Sequence, residues 1–253
     1  MKLTVQNVSL SRAGQSVLQN VSFCAQEGQI TALIGRNGAG KTSLLRALTG
    51  EYSKYSGQFL LDDTPIHPLS PAQRSLLLSC LPQNLPTPHV TVEELVGFGR
   101  TPYTPLSGKL SDRDREKIRW AIHTVGLDAH AEQFVDTLSG GERKKAFFAM
   151  TLAQDTPLVV LDEPTAHLDT VSRFEFLELL DRLRQETGKT FLVVLHDLPE
   201  VIRYAQHIVT LHQGEITFDG TPQCCLEENI PQTYFQIRLT GDFENGFAVT
   251  PVP

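Results

Sequence analysis

Gly35-Arg36-Asn37-Gly38-Ala39-Gly40-Lys41-Thr42 carries the clearest chemistry in the chain, a glycine-rich run that ends in a lysine and a hydroxyl. Glycines let the backbone curl with its N–H groups inward, and a helix starting near Lys41 turns its positive dipole end toward the same concavity. Such a loop wraps an anion such as a triphosphate, with Lys41 reaching the β/γ-phosphates and the Thr42 hydroxyl holding Mg²⁺. The apolar run Ile30 to Ile34 before it reads as a buried strand. Ser43 to Leu48 after it continue a helix that stops at Thr49-Gly50, with glycine in the usual C-terminal place. That setting separates a phosphate cradle from a plain glycine-rich turn.

A second chemical group closes the apolar run Leu158 to Leu161, which ends in Asp162-Glu163. A continuous apolar stretch suits a strand buried on both faces of a parallel sheet. Asp162 at its carboxyl end is a candidate Mg²⁺ ligand, directly or through water, and Glu163 is placed to polarise an attacking water. Two acids capping a helix would look the same in isolation, but the upstream glycine loop favours the chemical reading. His196 follows another apolar run, Thr190 to Leu195, and becomes a candidate γ-phosphate contact at the same sheet edge. Leu138-Ser139-Gly140-Gly141-Glu142, followed by Arg143-Lys144-Lys145, is a second anion cradle built of hydroxyl, backbone N–H groups and helix dipole. One nucleotide does not need both cradles, whereas two chains facing head to tail would use both.

The elements that must position these groups can be read from periodicity. Leu3 to Leu10 and Val17 to Phe23 alternate apolar and polar residues around a turn at Ala13-Gly14-Gln15, as a β-hairpin does. Gly57 to Leu61 with Asp62-Asp63 reads as another hairpin, and Ile208 to Leu211 with Glu215 to Phe218 as a last one turning at Gln213-Gly214. From about Leu85 to Asp155 the pattern becomes helical. Thr91 with Glu94 forms a capping box, Pro102 and Pro105 break the chain into a loop, and Ser111 to Val125 carries Ile118, Ala121, Ile122 and Val125 on one stripe. Val171 to Gln185 is amphipathic, with Phe174, Leu177, Leu180 and Leu183 expected in register. Beyond about Pro231 there is too little periodicity to read an element.

Bulk properties bound the function. With 253 residues, 40% hydrophobic and 20% charged, the composition is that of an ordinary globular protein with ample core. A formal charge of −7 argues against nucleic acid as the main partner. Cys24, Cys80, Cys224 and Cys225 form no C-x-x-C pair and read as reduced thiols. Met1 to Gln6 lacks the apolar core of a signal peptide, and no run of about 18 apolar residues occurs, so any membrane association is expected through a partner. His67, His89, His123, His130, His207 and His212 stand singly and read as surface or packing residues.

Taken in order, these motifs resemble an ATP-binding subunit of an ABC transporter from Leu3 to about Thr221. The match comprises the Walker A loop Gly35 to Thr42 with Ser43, the Q-loop Leu81-Pro82-Gln83, the signature Leu138 to Glu142, the Walker B strand to Asp162-Glu163, the D-loop Ala166 to Asp169 and the H-loop His196. The resemblance implies an α/β fold: a P-loop NTPase core, of mixed parallel sheet with an antiparallel β part, carrying a helical subdomain inserted between Walker A and Walker B. The expected division of 1–253 is a core of 1–84 and 156–230, a helical signature subdomain of 85–155 and a tail of 231–253. It also implies a homodimer sandwiching two ATP, with Ser139, Gly140, Gly141 and Glu142 of one copy capping the nucleotide on Lys41 of the other. ATP and Mg²⁺ are the implied cofactors, with Thr42, Gln83 and Asp162 as metal ligands and Glu163, His196, Gln83 and Asp169 as the catalytic set. Gln83 is expected to couple Mg²⁺ to a transmembrane partner, and Asp169 to communicate across the dimer.

One departure is that Arg12 and Ala13 stand where the family often has an aromatic residue for adenine; the Arg12 guanidinium could stack there instead, so weak base selectivity is expected, with binding carried mainly by the phosphates. Gly99 to Tyr103, Asp114 to Lys117, Val125-Gly126-Leu127 and Ala146 to Met150 are similar to ATPases of bacterial ferric siderophore importers, relatives of the heme and cobalamin importers. That likeness implies a peripheral protein on the cytoplasmic face of the inner membrane, working with permease subunits and indirectly with a substrate-binding protein. The loop Gln83 to His89 with its neighbouring insertion is the expected permease dock. The rival from a different class is a soluble ABC ATPase of iron-sulfur cluster assembly, and the alternatives within the same chemistry are the ATPase of an exporter or of a heme, cobalamin or other solute importer.

Overall fold

The computed structural model describes residues 1–104, 108–243 and 246–252, so Pro105 lies outside the described residues. In chain order the first elements are β1 (Leu3–Arg12), β2 (Gln15–Ala25), β3 (Ile30–Ile34), α1 (Lys41–Thr49), β4 (Ser56–Leu61), β5 (Thr64–Pro65) and α2 (Pro71–Arg74). Then come β6 (Leu78–Leu81), α3 (Val92–Phe98), α4 (Asp112–Thr124), α5 (Gly140–Ala153), β7 (Leu158–Asp162) and α6 (Thr170–Thr187). The last are β8 (Thr190–Val194), α7 (Leu198–Tyr204), β9 (His207–His212), β10 (Glu215–Gly220), α8 (Pro222–Glu227), α9 (Ile230–Phe235), β11 (Ile237–Asp242) and β12 (Gly246–Pro251). The chain forms two compact units, Met1–Leu69 with Leu180–Pro253, and Ser70–Leu179.

In the first unit β2, β1, β4 and β5 make an antiparallel sheet. The β1–β2 turn puts Ala13 at φ +48 and Gly14 at φ +79, the two left-handed positions that match the twist of paired strands. A second sheet runs β10, β9, β3, β8. Here β3 is parallel to both neighbours, with Leu33 opposite Val194 and Val209, and β10 returns antiparallel on β9. Every residue of β3 and β8 is buried, which explains their unbroken apolar character. α1 ends where expected, Gly50 lying at φ +86 with its N–H donating to the Ala47 carbonyl. Beyond Pro231, α9 leads into the hairpin β11–β12, with Leu239 opposite Val249. Its strands are mostly exposed, and the alternation of half-buried Ile237 and Leu239 with exposed Arg238 and Thr240 is too short to stand out in the sequence.

In the second unit β6 and β7 pair in parallel, Leu78 opposite Leu158 and Leu81 opposite Leu161. Helices α3, α4 and α5 pack together, and each begins with a complete capping box, Thr91 with Glu94, Ser111 with Asp114 and Ser139 with Glu142. α4 buries the expected stripe of Ile118, Ala121 and Ile122, with Val125 just past its end. Arg100 and Asp114 form an ion pair of 2.8 Å whose side chains are 4% and 5% exposed. Arg100 also donates to the Ala153 carbonyl at 2.7 Å and lies 3.9 Å from the centre of the Tyr103 ring. On α6 the expected register needs correction. Phe174 is 40% exposed, while Phe176 is buried and packs on Phe148 at 4.8 Å between ring centres. At 3.6 residues per turn Phe176 falls within the arc of Leu177, Leu180 and Leu183, and Phe174 falls outside it.

Candidate functional site

Because β3 and β8 are adjacent and parallel, the Gly35 loop and His196 leave the sheet at the same edge, where open α/β sheets take their ligands. α1 starts at Lys41 behind Gly40, which sits at φ +108 and supplies no side-chain cap. The first amides of a helix have no acceptor within it, so this end of α1 suits an anion. Lys41 is only 6% exposed, and its Nζ donates to the carbonyls of Gly35 at 2.7 Å and Arg36 at 3.3 Å. The ammonium therefore lies inside the loop. The β9–β10 hairpin holds the loop from outside, Gly214 N–H donating to the Ala39 carbonyl at 3.1 Å. Gly35, at φ +155, brings its backbone so close that an added Cβ would meet the Leu211 carbonyl oxygen at 2.2 Å. Glycine backbone, an uncapped helix start and a buried cation fit a polyphosphate.

Arg12 is placed at the end of β1, with its Nη1 donating to Tyr52 Oη at 2.7 Å and its guanidinium 4.8 Å from the Tyr52 ring centre. Arg46 donates to the same hydroxyl at 3.1 Å. Tyr52 had no signal in the sequence, because it follows the Gly50 cap outside any motif.

In the second unit the parallel register of β6 and β7 brings Gln83 and the Asp162-Glu163 pair out at one end. Gln83 Nε2 donates to Glu163 Oε2 at 2.6 Å, a pairing across 80 residues of chain. Asp162 is 6% exposed. Glu163 has φ +52, which turns the chain sharply after the strand. Three residues past Gly141 of the signature run, Lys144 donates from Nζ to the Ala166 carbonyl. Burial draws the Lys144 pKa below the ordinary lysine range, partly opposed by the charge of Glu163. Asp169 caps α6 by accepting from Ser172 N–H at 2.9 Å and Ser172 Oγ at 2.8 Å, bonds that hold its pKa below the usual carboxylate value.

Ser139 caps α5. Its N–H and Oγ donate to Glu142 Oε2 at 2.9 and 2.6 Å, and Glu142 N–H returns to Ser139 Oγ at 3.3 Å. These bonds, with a smaller contribution from His130 whose Nε2 lies 3.2 Å from Glu142 Oε1, keep the Glu142 pKa below its ordinary value. Ser139, Gly141 and Lys144 line a concavity of about 260 Å³ with Leu168 and Asp169. Signature and D-loop are thus brought together within one unit. Several histidines expected at the surface or in packing have acid partners: His89 with Asp136, His123 with Asp128 and His207 with Asp219.

The ABC transporter family model matches residues 18–166. The iron(3+)-hydroxamate import ATP-binding protein FhuC of Bacillus subtilis is 35% identical over 236 residues, covering 93% of this chain and 88% of that protein. The achromobactin transport ATP-binding protein CbrD of Dickeya dadantii is 38% identical with the same coverage. Among solved structures, cbiO1 of Clostridium perfringens, part of the cbiONQ ABC transporter complex, superposes with a TM-score of 0.79 at 26% identity, covering 90% of this chain and 91% of that one. The dimeric ATP-binding cassette MJ0796 bound to ADP and Pi gives a TM-score of 0.75 at 25% identity, covering 87% and 98%. Fold and relatives agree, and the chain belongs to the ABC transporter family as one of its ATP-binding, ATP-hydrolysing subunits.

Proposed function

We propose that this chain is the cytoplasmic-face motor of an importer whose cargo is an iron(III) siderophore chelate. The observation that carries the reading is that 93% of the chain aligns at 35–38% identity with the hydroxamate and achromobactin transport ATPases. No helix among the described residues is long and apolar enough to cross a membrane, so the reading assigns the crossing to permease subunits. Two copies act as a pair, with Ser139, Gly140, Gly141 and Glu142 of each facing the nucleotide held by the other.

The residues divide the work as phosphoryl transfer to water requires, by position and charge compensation. Gly35 to Ser43 cradle the phosphates and Lys41 neutralises them. Thr42, Gln83 and Asp162 offer hydroxyl, amide and carboxylate oxygens, a donor set that suits Mg²⁺, which supplies charge compensation to the phosphates when bound. Glu163 accepts a proton from the attacking water as the bond between the β- and γ-phosphates breaks. His196 contacts the γ-phosphate. Gln83, bonded to Glu163, reports the state of that carboxylate to the permease, and Asp169 reports across the pair. Phe98 and Phe134, 54% and 41% exposed, give the insertion beside Gln83 to His89 an apolar surface for a permease helix. A substrate-binding protein delivers the chelate to that permease.

The test is to tag the chain in its native host, solubilise membranes gently and identify what co-purifies. A polytopic permease in roughly equal amount, with MgATP hydrolysis abolished by Lys41→Ala and ATP-dependent dimers trapped by Glu163→Gln, is the expected result. Soluble assembly factors in place of a permease would move the chain to cluster assembly.

A further inference from the structure

Lys144 lies just inside α5 with its side chain buried, and its ammonium reaches the backbone carbonyl of Ala166. A carbonyl needs only a neutral donor, and burial disfavours a charged one, so a lysine here calls for a reason beyond that bond. The charge it feels is Glu163, whose carboxylate opposes the fall that burial imposes on the Lys144 pKa. The chain between them is bent in an unusual way. Glu163 at φ +52 and His167 at φ +64 are both left-handed without being glycine, a conformation that persists only where the surroundings over-determine it. Ala166 sits inside this bend, its N–H donating to the Glu163 carbonyl at 3.1 Å while its own carbonyl receives Lys144. One residue past His167, Leu168 donates to the Thr165 carbonyl at 3.3 Å, and its side chain stands 3.7 Å from where a Cβ on Gly141 would lie.

We propose that Lys144 is a positioning residue, a strap from the signature helix to residues 163–169 that holds the Glu163 turn and sets the charge its carboxylate faces. The signature of each chain and the water-polarising carboxylate of the same chain then move together. Engagement of one nucleotide by Ser139 to Gly141 is thereby felt at the other. This rests on the reading of Glu163 as the group that accepts the proton from water.

The test compares the full-length wild-type chain with Lys144→Met, which keeps the stem and removes donor and charge, and with Lys144→Arg, which keeps both. Amide hydrogen exchange without nucleotide should run about tenfold faster across residues 163–169 in the methionine variant and stay unchanged in α3 and α4. With MgATP, the same variant should lose about tenfold in kcat with KM within about twofold, and arginine should restore both readouts. Equal exchange across 163–169, acceleration spread over the whole unit, or faster exchange with unaltered kcat would each overturn the proposal. A wild-type chain without ATPase activity would overturn the hydrolytic reading instead, while the exchange comparison still decides whether the strap exists.

Discussion

Replacing Arg100 by methionine is the substitution whose cost can be worked most directly from the structure. The arginine side chain is 4% exposed and its carboxylate partner Asp114 is 5% exposed, so neither charge gains much from water. The change removes the 2.8 Å bond to Asp114, the 2.7 Å bond to the Ala153 carbonyl and the stack on Tyr103. Asp114 keeps Ser111 N–H at 2.9 Å and Ser111 Oγ at 2.6 Å, so it stays part of the α4 cap while losing its counter-ion. Removing one partner of a buried pair costs about 3–5 kcal/mol. That is a large part of a typical stability of about 5–15 kcal/mol. The chain has a single tryptophan, Trp120 on α4, so urea unfolding followed by its fluorescence reports this unit directly. Arg100→Met should shift the midpoint strongly, and Arg100→Met with Asp114→Asn should recover about 1–3 kcal/mol relative to the sum of the single changes. A loss below about 1 kcal/mol for Arg100→Met would refute the view that this pair organises the helices. The pH dependence has a defined sign. Burial raises the Asp114 pKa, yet the bonds from Ser111 and Arg100 outweigh it and leave the native value below the unfolded one. Its contribution is therefore complete above the unfolded pKa of about 3.9 and is lost as the pH falls through the lower native value.

Gly99→Ala should destabilise the same unit by about 1–3 kcal/mol, since its Cβ would stand 2.3 Å from the Met150 carbonyl oxygen, backbone against backbone; an unshifted urea midpoint would contradict this. At pH 8 a thiol reagent should modify Cys224 well before Cys225, because Cys225 is buried and its pKa is pushed up to about 12, first by desolvation and then by Glu228 and Cys224. Mass spectrometry of the peptide carrying both decides it, and equal labelling would mean that the burial is wrong. Arg12→Ala should erase any preference for ATP over GTP, and Tyr52→Phe should weaken it, since the hydroxyl of Tyr52 holds the guanidinium at 2.7 Å; unchanged nucleotide competition in both would remove Arg12 from the base site.

The stretches that resemble the siderophore importers acquire a physical meaning in the structure. Gly99 to Tyr103 and Asp114 to Lys117 meet through Arg100 and Asp114, Gly99 lies against Met150, and Lys117 pairs with Asp155 at 2.8 Å. They are one packing cluster that joins α3, α4 and α5. Their likeness to a group of relatives records how the helical insertion is built.

What could be read from the sequence was what depends on neighbours along the chain. The strand, glycine turn and helix start around Lys41, the three capping boxes and the buried strands at Leu33, Leu161 and Val194 are all set by local period, by pairs three residues apart or by runs of apolar residues. The choice of Phe176 over Phe174 was also legible, since the 3.6-residue period alone puts Phe176 within the arc of Leu177, Leu180 and Leu183, whereas the β11–β12 hairpin is mostly exposed and carries only a brief alternation from Ile237 to Thr240. Only the folded chain could decide that Gln83 meets Glu163, that Tyr52 anchors Arg12, that Arg100 finds Asp114 and that Lys144 holds Ala166. Such pairs join residues from different elements, so their meeting is fixed by how strands and helices pack and by the need to satisfy buried polar groups, which no local pattern encodes.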